Sequence, residues 1–144
     1  MSFDVSYMAG GVIDKVRQLP YPHFSMYTIP YIKGRRIRAE NGGVYTDIFS
    51  LPFPTEFLSV AFAASEYCDK DYWELTLGDV KICETMYTKE LPESVSMGNS
   101  FGIVYPLEEN IQMKFEFHNE SGTPKSVWYN IKFLRGEDGD GVSE

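Results

Sequence analysis

The strict alternation of apolar and polar side chains along "IQMKFEFHN" (residues 111–119) constrains the fold of this chain more than any other feature. The apolar set is Ile111, Met113, Phe115 and Phe117, and the polar set between them is Gln112, Lys114, Glu116 and His118. A period of two residues is the repeat of a β-strand, because successive side chains point to opposite faces of a sheet. The stretch therefore predicts a strand with one buried face.

Three further stretches alternate in the same way. Their expected buried sets are Leu58, Val60, Phe62 and Ala64; Trp73, Leu75 and Leu77; and Val127, Tyr129, Ile131 and Phe133. Within "DYWELTLGDVKI" (residues 71–82), Gly78-Asp79 fits a two-residue turn with glycine at its first central position, so we expect a hairpin there.

The rest of residues 23–135 reads as further strands separated by turn signals. "HFSMYTI", "YIKGRRIRAE" and "VYTDIFSL" are strand-like, and the "NGG" at residues 41–43 predicts a tight hairpin turn. "FGIVYPL" predicts a short strand ended by Pro106, whereas "KELPESVSMGNS" reads as a polar connection and "ESGTP" as a turn. Eight or nine strands at this spacing predict an all-β domain, a β-sandwich or jelly roll.

The two ends of the chain differ from this pattern. Residues 1–22 predict an irregular N-terminal arm, with a short helix possible over "GVIDKVRQL". Residues 136–144, "GEDGDGVSE", predict a solvated acidic tail.

Charge and hydropathy limit the possible partners. The net charge of −8 argues against broad nucleic-acid binding, and no apolar run is long enough to span a bilayer. The N-terminus lacks the apolar core of a secretory signal, so we expect synthesis in the cytoplasm. Residues 1–38 nevertheless carry six basic residues against two acids. This asymmetry is consistent either with head-to-tail contact between identical subunits or with an uneven solvated surface.

Reactive residues are few and scattered. The only cysteines are Cys68 and Cys83, and the only histidines are His23 and His118. We expect free, inert thiols, although a bridge between the two cysteines stays open. "EYCDKD" is acidic but lacks the spacing of a calcium loop. The sequence thus predicts no metal, no cofactor and no enzymatic activity.

Two long segments resemble a known group of proteins. "DYWELTLGDVKICETMYTKELPE" and "IQMKFEFHNESGTPKSVWYNIKFLR" resemble β-sandwich modules of bacteriophage virion proteins, from tails, baseplates or head accessories. The resemblance covers roughly Thr55 to Arg135 and consists of short strands, polar turns and many aromatic residues. It implies a virion protein that acts in assembly or in host-surface binding, with itself, other virion proteins or a surface glycan as partners.

Two sets of residues are candidates for these roles. For contacts between subunits we select the basic run and two aromatic residues near the arm: Tyr21, Phe24, Lys33, Arg35, Arg36 and Arg38. For the alternative role, glycan binding, we select stacking aromatics and nearby hydroxyl acceptors: Asp69, Asp71, Tyr72, Trp73 and Trp128.

Overall fold

The computed structural model describes residues 23–97 and 103–136, together with four short strands of the segment that precedes them. All of the regular structure in this part of the chain is β-strand. The leading segment contains β1 (Phe3–Val5), β2 (Met8–Ala9), β3 (Val12–Ile13) and β4 (Arg17–Leu19). The following ten strands are β5 (His23–Phe24), β6 (Ile29–Ala39), β7 (Gly43–Phe49), β8 (Thr55–Ala64), β9 (Tyr72–Leu77), β10 (Val80–Tyr87), β11 (Glu93–Ser96), β12 (Ile103–Leu107), β13 (Met113–Asn119) and β14 (Lys125–Arg135).

Two antiparallel sheets pack face to face. One has four strands in the order β10-β9-β13-β7. The other has six, in the order β5-β12-β8-β14-β6, with β11 paired to the same strand β8. The all-β sandwich predicted from the alternation is therefore confirmed.

The core between the sheets is aromatic. Phe62 stacks on Trp73 with ring centroids 5.6 Å apart, and Phe115 stacks on Tyr129 at 3.9 Å. The alternating sets predicted for β9, β13 and β14 all point into this core, except that Ile111 is only partly buried. Each such ring buries a large apolar area, so these stacks dominate the stability of the fold.

The predicted turn at Gly78-Asp79 is confirmed. Leu77 pairs directly with Val80, which leaves a two-residue turn, and Gly78 has a φ of 64°. A side chain at Gly78 would also meet the Ile111 side chain at 2.8 Å. The backbone conformation therefore favours glycine there, and a larger residue would also have to displace the end of the Ile111 side chain.

The predicted hairpin at "NGG" is wrong, because the strands on either side of it belong to different sheets. β6 pairs with β14, and β7 pairs with β13, so residues 40–42 form a corner of the sandwich. The Asn119 side chain donates a hydrogen bond of 2.9 Å to the Asn41 carbonyl, which ties this corner to the end of β13.

The predicted face of β8 is wrong at Leu58. A β-bulge opposite Lys132 and Phe133 inserts one extra residue, so that Phe57 takes the core position and Leu58 is only half-buried. Val60 and Phe62 do point into the core as predicted.

Three strand boundaries that were predicted at proline or polar residues are wrong. β6 and β12 continue through Pro30 and Pro106, and "KELPESVSMGNS" contains the strand β11. The predicted strand "HFSMYTI" is β-structure only at His23–Phe24 and again from Ile29. The amides of Met26 and Tyr27 donate instead to the Glu56 carboxylate at 2.9–3.1 Å.

The leading segment is a hairpin, so the short helix predicted within residues 11–19 is wrong. β1 pairs with β4 and β2 pairs with β3, both antiparallel. The residues between β2 and β3, and the predicted acidic tail from residue 137 onward, lie outside the described residues.

Candidate functional site

Strand alternation divides the predicted basic cluster between two surfaces. Lys33 lies opposite Ile131 and Arg35 lies opposite Tyr129, so both point toward the inter-sheet side of β6. Arg36 and Arg38 occupy the alternate positions and lie on the outer surface of the six-stranded sheet. The four cations therefore do not form one patch.

Arg35 is held within the molecule. Its Nε and Nη2 donate to the two carboxylate oxygens of Asp47 on β7 at 2.8 and 2.9 Å, and Tyr129 Oη donates to the same carboxylate at 2.8 Å. The Arg35 hydrogen bond is the main cause that lowers the pKa of Asp47. Burial is the main cause that raises the pKa of Tyr129, which stays a neutral donor. This network joins the two sheets at the free edge of β6.

The outer cations differ in their partners. Arg38 Nε donates to Glu40 at 2.7 Å, in an exposed ion pair. Arg36 has no hydrogen bond or ion pair with any described residue, and it lies directly opposite Trp128. Trp128 is 39% exposed on this outer surface.

The two aromatic candidates near the arm separate. Phe24 belongs to β5, at the end of the six-stranded sheet, and not to the arm. Tyr21 lies outside the described residues.

The structure breaks up the predicted glycan set, since two of its five residues are buried. Trp73 is fully enclosed in the core and cannot serve as a stacking platform. Asp71 is 1% exposed, so it cannot accept hydrogen bonds from a sugar. Trp128 lies on the six-stranded sheet, whereas Tyr72 lies on the four-stranded one. The prediction for Trp73 and Asp71 is therefore wrong.

Asp71 instead forms a latch between the sheets. Lys125, at the start of β14, donates to its carboxylate, and both side chains are buried. The same carboxylate accepts from the amides of Glu120 and Ser121 at 2.8 and 3.0 Å. Burial of two charges is tolerated here because the lone pairs are occupied.

Two members of the glycan set, Asp69 and Tyr72, border an open cleft of about 530 Å³, which we call the tyrosine cleft. Its lining residues are Asp69, Lys70, Tyr72, Tyr87 and Glu120. The Tyr72 and Tyr87 rings lie 5.5 Å apart with their planes tilted by 57°. The cleft thus presents two aromatic surfaces with charged groups around them.

His118 supports the cleft from beside Tyr72. The two rings stack at 4.1 Å with an angle of 12° between their planes. His118 Nε2 is buried without a hydrogen-bond partner, and it lies 3.9 Å from the Glu74 carboxylate. Stacking fixes the orientation of the Tyr72 ring, so the cleft is preorganised.

An irregularity in β10 shapes the neighbouring surface. The register of β10 shifts twice, and Thr85 has a φ of 52°, which is uncommon for a threonine. The Thr85 amide donates to Glu74 at 3.1 Å, and Lys81 Nζ donates to the same carboxylate at 2.8 Å. The Lys81 hydrogen bond is the main cause that lowers the pKa of Glu74.

Negatively charged carboxylates lie around Tyr72. Burial is the main cause that raises the pKa of its hydroxyl, and the carboxylates of Glu120, Glu74 and Glu116 raise it further. Tyr72 is therefore a neutral hydrogen-bonding group over the physiological range. Sequence reasoning missed Tyr87 and His118 as neighbours of Tyr72, because only the order of β10, β9 and β13 brings them together.

Other chemistry is sparse in the part of the chain that the structure describes. Both cysteines are free, and burial raises the pKa of the Cys83 thiol to about 11. Within residues 23–97 and 103–136, no group of three or more His, Cys, Asp or Glu side chains is placed to hold a metal ion. The described residues contain no helix of the length and hydropathy needed to cross a membrane.

Comparison with known proteins identifies a family. The model of a family described as a domain of unknown function (DUF8551) matches residues 27–138, most of the chain, and the protein belongs to that family. No curated protein and no solved structure matches the chain at a significant level.

Proposed function

We propose that this DUF8551 member is a non-enzymatic structural subunit of a phage particle, which assembles through its arm and its sheet edges. The observation that carries the proposal is the free edge of β6. This strand has eleven residues, Ile29–Ala39, and pairs only with β14 among the described strands. At about 3.3 Å per residue the edge extends for roughly 36 Å.

A free edge of this length is a template for another strand. The cations on β6 disfavour pairing of two β6 strands from different copies, because like charges would then meet. They favour instead a neutral or acidic strand of a neighbouring protein. The edge can therefore be selective in its partner.

The arm supports the same proposal. The described strands of the arm pair with each other, and the sheets of the sandwich are composed of β5–β14. The arm can therefore engage a neighbour while the sandwich stays folded.

Deletion of residues 1–22 tests the proposal. We expect the truncated chain to unfold cooperatively, with a midpoint within a few degrees of the full chain, and to lose assembly on a sizing column. A truncated chain that assembles as well as the full one would remove the arm from the proposal.

The phage setting rests on the resemblance of residues 55–135 to virion modules. Its test is mass spectrometry of purified particles from a host that carries the coding sequence. We expect the chain in the particles at a fixed ratio to the other virion proteins. Its absence from intact particles would overturn the virion assignment and leave the self-assembly proposal to be tested separately.

Glycan binding is a second candidate function, favoured by the tyrosine cleft. Asp69 can accept hydroxyl hydrogen bonds beside the faces of Tyr72 and Tyr87. Saturation-transfer NMR with a panel of host-wall glycans tests it, with Tyr87→Ala as the matched variant. Transfer that disappears in the variant supports the site, and no transfer from any glycan overturns it.

A further inference from the structure

We propose that copies of this chain stack face to face, with the outer surface of the six-stranded sheet docked on the outer surface of the four-stranded sheet of the next copy. The tyrosine cleft then receives a cationic side chain, Arg36, from that neighbour. This inference rests on the proposed self-assembly and adds a contact between sheet faces to the contacts of the arm and the sheet edges.

The donor surface, here called the basic face, is the outer side of β6 and β14. Its exposed side chains are Ile32, Arg36 and Arg38 of β6 and Trp128, Asn130 and Lys132 of β14. Arg36 and Lys132 have no hydrogen bond or ion pair with any described residue. Two carboxylates offset part of this positive charge: Glu40 pairs with Arg38, and Glu56, at one end of this face, accepts from the amides of Met26 and Tyr27. The surface is therefore cationic around an exposed tryptophan.

Several residues near Trp128 on the basic face have small side chains. Gly34 lies opposite Asn130, and Ala61 and Ala63 lie opposite Asn130 and Trp128 on the other side. Trp128 therefore has a small neighbour, Ala63, on its β8 side and the long Arg36 side chain on its β6 side. An aromatic side chain in such a position is the type of residue that contributes most to protein interfaces.

The receiving surface, here called the acidic face, is the outer side of β10, β9 and β13 with the tyrosine cleft. Its five carboxylates outnumber its three ammonium groups: Asp69, Glu74, Glu84, Glu116 and Glu120 against Lys70, Lys81 and Lys114. Glu74 is neutralised by Lys81, whereas Asp69, Glu116 and Glu120 have no ion-pair partner among the described residues. Lys70 and Lys114 also have no ion-pair partner among the described residues, so the acidic face carries an excess of unpaired negative charge, opposite in sign to the excess on the basic face.

The tyrosine cleft has the chemistry of a cation site. The tilted rings of Tyr72 and Tyr87 offer aromatic faces, and two carboxylates, Asp69 and Glu120, lie at the cleft against one ammonium group, Lys70. A guanidinium group stacks on aromatic rings and pairs with carboxylates at the same time. Arg36 is the unpaired arginine of the basic face, so it is the side chain that fits.

The geometry of such an assembly follows from its two different surfaces. A contact between unlike surfaces is heterologous, so it propagates into a closed ring or an open filament. Stacking of two basic faces or two acidic faces would instead bring like charges together. The expected partner is therefore a second copy in head-to-tail orientation.

Charge reversal on each face tests the pairing. Arg36→Glu makes the basic face repel the acidic face, and Glu116→Arg does the same from the other side. We expect each variant alone to associate about tenfold or more weakly than the natural chain at low salt. An equimolar mixture should recover the association, because every contact between the two variants again joins opposite charges. Light scattering on a sizing column measures both.

Controls separate this test from folding and from net charge. Lys89→Glu and Glu90→Arg make equal charge changes in the exposed connection between β10 and β11, and we expect them to leave association unchanged. Circular dichroism checks that each variant is folded, and Glu120→Arg repeats the test at the cleft if Glu116→Arg unfolds. Variants that associate normally, or a mixture that does not recover, would overturn the stacking. In that case loss of assembly on arm deletion would still support the proposed function.

Discussion

Among the described residues two ion pairs join the sheets of this sandwich, and they differ in their cation, in their burial and in their place in the fold. Asp71 and Lys125 are each 1% exposed and lie where β13 connects to β14. Arg35 and Asp47 lie at the open edge between β6 and β7, with side chains 30% and 20% exposed. One pair closes the sandwich, whereas the other borders a free strand edge.

The two pairs differ in what they leave available for further contacts. The Asp71 carboxylate is saturated by two backbone amides, a hydroxyl group and an ammonium group, so nothing is left for a ligand. Beside the Arg35 pair, Arg36 points to the outer surface and has no hydrogen bond or ion pair with any described residue. Strand alternation therefore places neighbouring charged residues in different surroundings.

The largest effect is expected at the buried pair. Lys125→Met leaves Asp71 as an uncompensated buried charge, and we expect the free energy of unfolding to fall by about 3–5 kcal/mol. Urea unfolding followed by tryptophan fluorescence measures it. The double variant Asp71→Asn with Lys125→Met should recover much of the loss. A loss below about 1 kcal/mol in the single variant would contradict the latch.

A smaller effect is expected at the edge pair. Asp47→Asn removes a bidentate ion pair and weakens the hydrogen bond from Tyr129. Because this site is partly open to water, we expect a loss of about 1–2 kcal/mol. Urea unfolding under the same conditions gives the comparison. A loss of unfolding free energy as large as that of Lys125→Met would show that the edge pair is as well shielded from water as the buried pair.

The edge pair also predicts a pH dependence. The folded state lowers the pKa of Asp47, so its stabilising contribution is present above the unfolded pKa of about 3.9 and is lost as the pH falls through the lower folded value. The Asp47→Asn variant should therefore lose less stability than the natural chain between pH 5 and pH 2. Thermal unfolding across this range measures it, and parallel curves would contradict the assignment.

Much of the sandwich could be predicted from alternation alone, and the errors have physical causes. The buried sets of β9, β13 and β14 follow directly from the period of two residues. Leu58 was misplaced because a bulge changes the phase without a sequence signal. The "NGG" turn was misread because a corner between sheets uses the same residues as a hairpin.

The candidate site was harder to predict for a related reason. Alternation shows that Tyr72 and His118 point outward, but only the strand order shows that they stack. Asp71 resembled an exposed acceptor because its partner Lys125 lies 54 residues away. The local sequence pattern does not predict which side chains the sheet topology brings together.

Thiol labelling distinguishes the partly exposed Cys68 from the buried Cys83. The Cys68 carbonyl accepts hydrogen bonds from the Asp71 amide and from Thr88 Oγ1, so Cys68 lies at the latch. Cys83 is buried, and burial raises its pKa to about 11. At pH 8 we expect Cys68 to react with a thiol reagent while Cys83 reacts only on unfolding. Equal rates for the two thiols would contradict this order.

The smallest effect on stability is expected at the outer surface. Arg36→Glu removes no described hydrogen bond or ion pair, so the free energy of unfolding should change by no more than about 0.5 kcal/mol. Urea unfolding at a concentration that keeps the protein monomeric measures it. A clear destabilisation would mean that Arg36 supports the fold and would weaken its assignment to recognition.

The most direct test of the account is the mass of the native species, measured by light scattering on a sizing column at low and at moderate salt. The chain alone has a mass of 16.5 kDa. We expect a larger, defined oligomer at low salt that dissociates as salt screens the charged contacts. A 16.5 kDa monomer at every concentration and salt would contradict self-assembly.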